Sequence, residues 1–334
     1  MLPLQPDDQP APPRRTRLRR LLFATGVLTG VILLVCGGTA IGLWVYVGSV
    51  EDSVGRVDAF TDLPEETRPS RAAPKSLNIL LLGSDSRVQR DEPENGTDAR
   101  TDTIIVVHIP AKRDSAQLIS IPRDSWVPIP GQKVNKINAA YAFGGPKLMV
   151  QTVEELTKVR IDHVIVIDFA GFKEVVDALG GIQIDVPQDF TSIHAPHRTF
   201  SKGLQYMNGE VALDYSRQRY QFKDGDFSRI EHQQQVIKAV MEKAASRGLM
   251  TDVPKLNAFI RATTSALTVD RELSLFDLAL ELRQVRGEHL TFITSPSKGV
   301  GREGNQSVVY VDAEKAAQLY AAVSADRVSA LRSG

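Results

Sequence analysis

Short apolar runs alternate with amphipathic segments over most of the chain, beginning near Leu77. Three runs come first, at residues 77–82, 103–109 and 117–121, and each is rich in Ile, Leu or Val, as buried strands are. A short turn-like segment, residues 110–115, joins the second run to the third. We therefore predict an antiparallel hairpin of strands two and three, and an antiparallel meander if strand one pairs with them.

Helical and strand segments alternate after these runs. The spacing of apolar positions predicts helices over residues 144–158, 170–179, 228–246, 254–267 and 275–284. Strands are predicted over residues 163–167, 182–186 and 290–293. Such alternation is typical of an α/β fold. We predict a single α-β-α sandwich with a central mixed β-sheet.

A stretch without any charged side chain, residues 21–47, precedes this domain. It is long enough to cross a hydrocarbon core of about 30 Å as one helix. Arginines cluster immediately before it, and such positive flanks stay cytoplasmic. We therefore predict an N-terminal transmembrane helix in the cell membrane, crossed once, with a cytoplasmic N-terminus and an extracytoplasmic C-terminal domain.

A cleavable signal peptide is the alternative interpretation of this stretch. Its apolar region would be about 7–15 residues long, whereas the run here continues through Trp44 and Tyr46. We favour an uncleaved anchor, since these aromatic residues suit the membrane interface. The predicted organisation is a disordered basic tail (1–20), a transmembrane helix (21–47), a stalk (48–76), a folded domain (77–325) and a C-terminal tail (326–334).

Composition narrows the classes of function. The formal net charge is zero, which does not favour nucleic acid as a partner. The single cysteine, Cys36, lies in the apolar run, so the exported part has no disulfide and depends on its core. Neither a GxxxxGK[ST] loop nor an HExxH motif occurs, so a P-loop nucleotide site and a zinc-protease site are not indicated.

Charged residues stand at one end of each strand in the predicted meander. They are Asp85 after strand one, Arg100 and Asp102 before strand two, and Arg123 and Asp124 after strand three. In an antiparallel meander these positions share one sheet edge, so we expect them to converge. Asp168, after the next strand, would join them if that strand runs parallel to the first. A solvated polar rim explains any one residue, but the alternation of Arg and Asp favours a site.

A second charged cluster includes Arg217 and Arg219, which would share a face if this stretch is extended. Ser228 and Glu231 match a capping box, which would place Arg229 at the first position of a helix. A cation there opposes the helix dipole unless an anion binds beside it.

Gln233 falls on the apolar stripe of the same helix, so its amide is either satisfied by a neighbour or directed at a ligand. Arginine forks suit phosphate oxygens. Grouped aspartates suit Mg²⁺ that bridges protein and phosphates. Together the two clusters suggest a site for a pyrophosphate with its metal.

Residues 77–322 resemble the LytR-CpsA-Psr family of bacterial cell-envelope proteins. The resemblance rests on motifs in the family's order, at residues 78–87, 100–103, 120–124, 136–141, 208–219 and 224–229, together with Gln233. It implies a phosphotransferase that takes a glycopolymer from a polyprenyl-pyrophosphate carrier and joins it to peptidoglycan through a phosphodiester, beside the membrane.

The resemblance also implies roles for individual residues. Asp85 and Asp102 would hold Mg²⁺ (or Mn²⁺), and the pyrophosphate would be bound by Arg100, Arg123, Arg217 and Arg219, with Arg229 and Gln233. Arg100, Asp102, Arg123 and Asp124 would be catalytic. Apart from the resemblance, the acceptor hydroxyl needs a nearby base, for which Asp102 and Asp124 are candidates by residue type only. His232 replaces a frequent arginine of the family motif, which removes one expected phosphate contact and suggests pH-sensitive binding.

Two other functions fit the same residues. One is a lipid-pyrophosphate binding or regulatory protein without turnover, and the other is a pyrophosphatase that transfers the glycan to water. The predicted topology and zero net charge disfavour a DNA-binding regulator. The sequence does not identify the polymer, and teichoic acid, capsule, arabinogalactan and protein-linked glycan all remain open.

Overall fold

The computed structural model describes residues 48, 50–84, 101–219, 222, 225–285 and 287–328. The predicted basic tail and transmembrane span, residues 1–47, lie outside the described residues. Within the described part, no helix has the length and apolar character needed to cross a bilayer. Backbone contacts divide the chain after Asp52, and all elements below belong to the unit Ser53–Gly334.

The strands are β1 (Gly55–Val57), β2 (Leu77–Ser84), β3 (Thr101–Ile109), β4 (Ala116–Ser120), β5 (Trp126–Val127), β6 (Asn135–Lys136), β7 (His163–Asp168), β8 (Ile182–Val186), β9 (Phe190–Thr191), β10 (Thr199–Phe200), β11 (Gly203–Met207), β12 (Leu267–Asp270), β13 (Leu290–Thr294), β14 (Ser297–Glu303) and β15 (Gln306–Val311). The α-helices are α1 (Ala139–Thr157), α2 (Phe169–Ala178), α3 (Gly209–Ser216), α4 (Asp226–Ala244), α5 (Arg247–Thr251), α6 (Val253–Ala266), α7 (Leu275–Glu281) and α8 (Ala313–Ser324).

The described residues form a seven-stranded sheet in the order β1-β12-β7-β2-β3-β4-β13. β2, β3 and β4 pair antiparallel in sequence, so the predicted meander is confirmed. β7 runs parallel to β2 and β13 runs parallel to β4, which makes the sheet mixed. The remaining strands form two-stranded ribbons, and the predicted strand β8 pairs with β11 in one of them.

Both faces of the sheet are covered by helices. Successive side chains of a strand point to opposite faces, so each strand contributes to a core on either side. Leu80 and Ile104 face a core that includes side chains of α1 and α8. Ile79 and Ile105 face the other side, where α4 and α7 contribute apolar side chains. The predicted α/β class with a central mixed sheet is confirmed, and helices cover both faces as expected.

The predicted stalk is wrong from Ser53 onward. β1 pairs in parallel with β12 at the edge of the central sheet. Val54 and Ala59 are buried, and Ala59 belongs to the main core. Charge and prolines made this segment look like a spacer, but its few apolar side chains pack into the domain.

The predicted C-terminal tail also begins too early. Asp326 accepts a hydrogen bond from the backbone N–H of Ala111 at 3.0 Å, and its other oxygen lies 3.0 Å from His108 Nε2. Val328 is buried in the main core. The domain therefore continues past residue 325, because these contacts depend on side chains that are distant in sequence.

Helix α1 starts five residues before the predicted start at 144, because residues 139–143 form a separate helical stretch. The backbone leaves the helical region at Gly144 and Gly145, where Gly145 has a φ of 60°. Pro146 follows and begins the second stretch, as proline suits a first helical turn. The glycine pair thus provides a kink that apolar periodicity alone does not show.

A buried ion pair anchors the segment between β1 and β2 to α1. Arg68 Nη2 lies 2.7 Å from Glu154 Oε1 and donates to the carbonyl of Ile161 at 2.6 Å. The two charged side chains are only 9% and 5% exposed. Removing one partner of such a pair leaves a buried charge uncompensated.

We therefore predict that Arg68→Ala lowers the free energy of unfolding by about 3 kcal/mol. Urea unfolding of the full chain in detergent, followed by circular dichroism, measures the change. The control is Glu65→Ala, which removes a 70% exposed carboxylate from its pair with Arg160 and should cost less than about 1 kcal/mol. Equal small effects would contradict the structural role assigned to residues 53–76.

Candidate functional site

The predicted charged edge forms where β2 ends and β3 begins. Ser84 pairs with Thr101 across the two strands. The carboxylate of Asp102 contacts Arg123, which follows β4. Asp85 and Arg100 adjoin this edge in sequence but lie outside the described residues. Three of the five residues expected to converge are described: Asp102 contacts Arg123, and the adjacent Asp124 joins the same cluster through Arg219.

Further charges alternate beside this pair. Asp124 lies 3.1 Å from Lys136 Nζ through one oxygen and 3.6 Å from Arg219 Nη1 through the other. Arg219 Nη1 also lies 3.7 Å from Asp226, whose Oδ1 is 2.5 Å from Arg229 Nη2. Acidic side chains therefore stand between basic ones throughout the cluster, which limits repulsion among the cations.

Helix α4 begins two residues before the predicted capping box. Gly225, with a φ of 51°, precedes the first helical residue, Asp226. Ser228 therefore lies inside the helix, and Arg229 occupies its fourth position instead of its first. The negative charge of Asp226 suits the helix N-terminus and compensates Arg229 there.

Arg217 and Arg219 do not lie on an extended strand. α3 ends at Ser216, and Arg217 caps it with right-handed helical backbone angles. The expectation that alternate side chains share a face therefore rests on the wrong local structure. Both arginines nevertheless line the same cavity.

A polar cavity of about 220 Å³ lies at this edge. We call it the anion pocket. It is lined by Asp102, Thr103, Arg123, Phe169, Ile193, His194, Ser216, Arg217, Arg219, Arg229 and Gln233. Four of these are arginines and one is a carboxylate, so the lining carries excess positive charge.

Burial and neighbouring charges shift the pKa values of two arginines at the pocket. Burial lowers the pKa of Arg219 from its ordinary value, and the nearby Arg123 lowers that pKa further. Burial lowers the pKa of Arg229 to about 10, against the opposing effect of Asp226. Both side chains stay cationic at neutral pH. The Nε atoms of Arg123 and Arg229 are buried and have no hydrogen-bond partner among the described residues.

An apolar groove of about 180 Å³ adjoins the anion pocket. It runs between the sheet, α2 and α4, with Leu81, Phe172, Val236 and Val240 among its lining. The groove and the anion pocket share Thr103, Phe169, Ser216 and Gln233. Gln233 thus lies at the junction of a cationic cavity and an apolar one.

Phe169 marks the same boundary from the side of α2. The guanidinium carbon of Arg217 lies 5.1 Å from the centre of the Phe169 ring, within cation–π range. The ring therefore presents one surface to a cation of the pocket and contributes another to the apolar groove. A ligand with a charged head and an apolar chain matches this arrangement.

Two expected aspartates serve other contacts. Asp124 does not line the pocket and lies between Lys136 and Arg219. β7 runs parallel to β2 and so brings Asp168 to the edge, but Asp168 caps α2 by accepting a hydrogen bond from Gly171 N at 2.7 Å. Among the described residues, no group of three or more His, Cys, Asp or Glu side chains is placed to hold a metal.

Ile193 and His194 also line the pocket, and neither carries a role predicted from the sequence. They lie in the loop between β9 and β10, far in sequence from the motifs. No spacing or composition signal marks them. Val175 lines the apolar groove, whereas Val164 and Val176 belong to the cores.

His232 packs among aromatic rings outside the anion pocket. Its ring lies 4.4 Å from the centre of Tyr215 and 5.0 Å from that of Phe222, and it is not part of the pocket lining. Burial lowers the pKa of His232 to about 4, so the imidazole is neutral at physiological pH. The suggested pH-sensitive binding near neutrality is therefore not supported.

Comparison with known proteins gives consistent matches. The model of the LytR_cpsA_psr family matches residues 51–324. The chain is 35% identical over 265 residues to the polyisoprenyl-teichoic acid–peptidoglycan teichoic acid transferase TagU of Bacillus cereus, which covers 78% of this chain and 82% of TagU.

Solved structures match over a similar extent. The crystal structure of TagV from B. subtilis has a TM-score of 0.62 at 28% identity and covers 76% of this chain and 98% of that one. TagT bound to LI-WTA has a TM-score of 0.61 at 24% identity and covers 81% and 99%. At that lower identity the similarity shows the fold alone.

The environment of His232 predicts how stability depends on pH. Its pKa rises from about 4 in the folded protein to about 6.5 when unfolded, so the unfolded chain takes up a proton first as the pH falls. The stabilisation is complete above about pH 6.5 and is lost on acidification toward pH 4, by up to roughly 3 kcal/mol.

We predict that His232→Phe, which keeps a ring in place but cannot titrate, flattens the fall in unfolding free energy between pH 7 and pH 4. Urea unfolding at stepped pH values measures the slope. The same replacement at the exposed His289 should leave the slope unchanged. A His232→Phe slope equal to that of the wild type would contradict the assigned pKa.

Proposed function

Because the chain belongs to the LytR_cpsA_psr family, we propose that it transfers a glycopolymer from a polyprenyl-pyrophosphate carrier to peptidoglycan. The new link is a phosphodiester, and polyprenyl phosphate is released. TagU, which is similar over 82% of its length, is named a teichoic acid transferase, and this supports transferase activity here. The polymer of this protein remains open.

The observation that carries the proposal is the junction of the anion pocket with the apolar groove. A lipid pyrophosphate has a charged head joined directly to an apolar chain. The two cavities meet at Thr103, Phe169, Ser216 and Gln233, as such a molecule requires. A soluble phosphate ester would need the pocket but would leave the groove without an occupant.

The arginines suit this chemistry. Phosphoryl transfer depends mainly on positioning and on neutralising charge at the phosphate oxygens. Arg123, Arg217 and Arg219 would hold the pyrophosphate, with Arg229 and Gln233 supporting them and Arg100 joining them from outside the described residues. An acceptor hydroxyl oxygen would attack the phosphorus next to the glycopolymer and lose its proton to a carboxylate, for which Asp102 and Asp124 are the candidates. The bond to the bridging oxygen would break, and polyprenyl phosphate would leave with the electron pair.

Magnesium, or manganese, is part of the proposal. Asp102 supplies a carboxylate at the pocket. The Oγ1 of Thr101, the preceding residue in the sequence, is buried and has no hydrogen-bond partner among the described residues. Oxygen donors of this kind suit a hard divalent cation. Asp102 would hold the ion together with Asp85, and the bound ion would neutralise phosphate oxygens.

The proposed location is the outer face of the cell membrane, with residues 21–47 as a single-pass anchor and the N-terminus in the cytoplasm. The uncharged stretch and its arginine flank support this topology. An anchored domain would meet its lipid-linked donor at the bilayer and its peptidoglycan acceptor in the wall.

We predict that Arg219→Ala lowers kcat/KM for release of polyprenyl phosphate at least about 100-fold, because one charged contact to the transferring group is lost. The assay uses the full chain, a lipid-linked donor, Mg²⁺ and peptidoglycan. Arg261→Ala removes an exposed arginine on α6 and should leave the rate unchanged. Full activity of Arg219→Ala would refute the site.

The same assay separates the alternative functions. A transferase releases polyprenyl phosphate faster when acceptor is present and forms a glycan–peptidoglycan product. A pyrophosphatase gives phosphorylated glycan at the same rate with and without acceptor. A binding or regulatory protein retains the donor without product.

A bulkier side chain in the apolar groove should weaken binding of donors with a long lipid chain. We predict that Val240→Trp raises KM for a long-chain donor about tenfold and leaves KM for a short-chain donor nearly unchanged, because less apolar surface is buried. Kinetics on donors of different chain length measure the effect. Val253→Trp adds the same bulk at a 72% exposed site outside the groove and serves as control. An equal rise in KM for both donors would rule out the groove as the lipid site.

A further inference from the structure

Two walls of the anion pocket come from segments distant in sequence. One is the loop after β9, where Ile193 and His194 line the pocket. The other follows α3, where Arg217 and Arg219 line it. The residue between these arginines, Gln218, is fully buried and does not line the pocket itself.

The Gln218 side chain joins the two walls. Its Nε2 donates to Ser192 Oγ at 2.8 Å, and its Oε1 accepts from the backbone N–H of Ile193 at 3.2 Å. Ser192 Oγ in turn accepts from the backbone N–H of His194 at 3.0 Å. One amide thus fixes the backbone of the loop that forms the opposite wall.

Asp214 completes the network from α3. Its Oδ1 accepts from Gln218 Nε2 at 2.6 Å and from Ser192 Oγ at 2.7 Å. Its Oδ2 is buried and has no hydrogen-bond partner among the described residues. We call Ser192, Asp214 and Gln218 the wall network.

The backbone of Gln218 is held as well, because its N–H donates to the carbonyl of Tyr215 in α3 at 3.3 Å. Gln218 is therefore fixed at both its side chain and its main chain, and the flanking arginines share that constraint. While position 214 holds a carboxylate, only an amide at position 218 satisfies the network, since one end must donate to Ser192 and Asp214 and the other must accept from Ile193.

We infer that Gln218 is a positioning residue for the proposed transfer reaction, holding the Ser192–His194 loop in register with Arg217 and Arg219. The inference rests on the proposed function for its kinetic readout. Displacing a catalytic wall by about 1 Å can cost about 100-fold in rate. Ser192, Asp214 and Gln218 do not line the anion pocket, so the network acts through the residues that do.

The test exchanges the amide and the carboxylate between two positions. Gln218→Glu places a second carboxylate against Asp214, and we expect kcat/KM for lipid-phosphate release to fall at least about tenfold, mostly in kcat. Asp214→Asn alone places two amides at positions 214 and 218, so the pairing of one amide with one carboxylate is lost there too. The double variant restores one amide and one carboxylate, and we expect kcat/KM within about threefold of wild type. Gln183→Glu makes the same change at an exposed site on β8 and is the matched control.

A second readout does not need turnover. Calorimetric binding of inorganic pyrophosphate to the full chain in detergent should weaken several-fold in Gln218→Glu and recover in the double variant. The recovery separates positioning from a general loss of fold, since the double variant carries two buried changes instead of one.

The outcomes are distinct. Rates and pyrophosphate affinity of Gln218→Glu within about twofold of wild type would overturn the inference. Losses that add in the double variant, without recovery, would overturn it too. A wild type that releases no lipid phosphate from any donor would refute the proposed function, while pyrophosphate binding would still decide on Gln218.

Discussion

Repulsion among arginines held close together is the constraint on which the site depends. Arg123, Arg219 and Arg229 are partly or wholly withdrawn from water, and burial lowers the pKa of Arg229 to about 10. Asp102, Asp124 and Asp226 offset this charge only in part, because none of them matches an arginine with all of its donors. An anion with several oxygens would complete the arrangement. The strands and helices around the pocket hold these arginines together against the repulsion.

The topology of the fold holds these charged residues close together. The meander of β2, β3 and β4 places Asp102 and Arg123 at one end of a sheet with cores on both faces. α4, which is distant in sequence from the meander, contributes Arg229 and Gln233 to the pocket at the same end. Charged residues at loop positions are thus held by elements whose own stability comes from apolar burial.

Patterns of apolar and polar residues in the sequence predicted those parts of the site that depend on secondary structure and strand order. Apolar runs located β2, β3 and β4, and their antiparallel order predicted the contact between Asp102 and Arg123. Contacts between distant side chains were beyond such patterns. The pairing of Arg68 with Glu154 and the wall network around Gln218 depend on tertiary packing. The start of α4 was misplaced because Gly225 and Asp226 compete with Ser228 as a helix start, and sequence spacing does not rank them.

The shared boundary at Phe169 has a consequence for turnover. The proposed reaction changes the head of the lipid and leaves its apolar chain as it was, so substrate and lipid product would occupy the groove with nearly equal affinity. Product would then leave slowly unless the loss of one phosphate weakens its hold on the arginines. Discrimination between the two would fall to the anion pocket, and repeated cycles would be limited by product escape as much as by bond breaking.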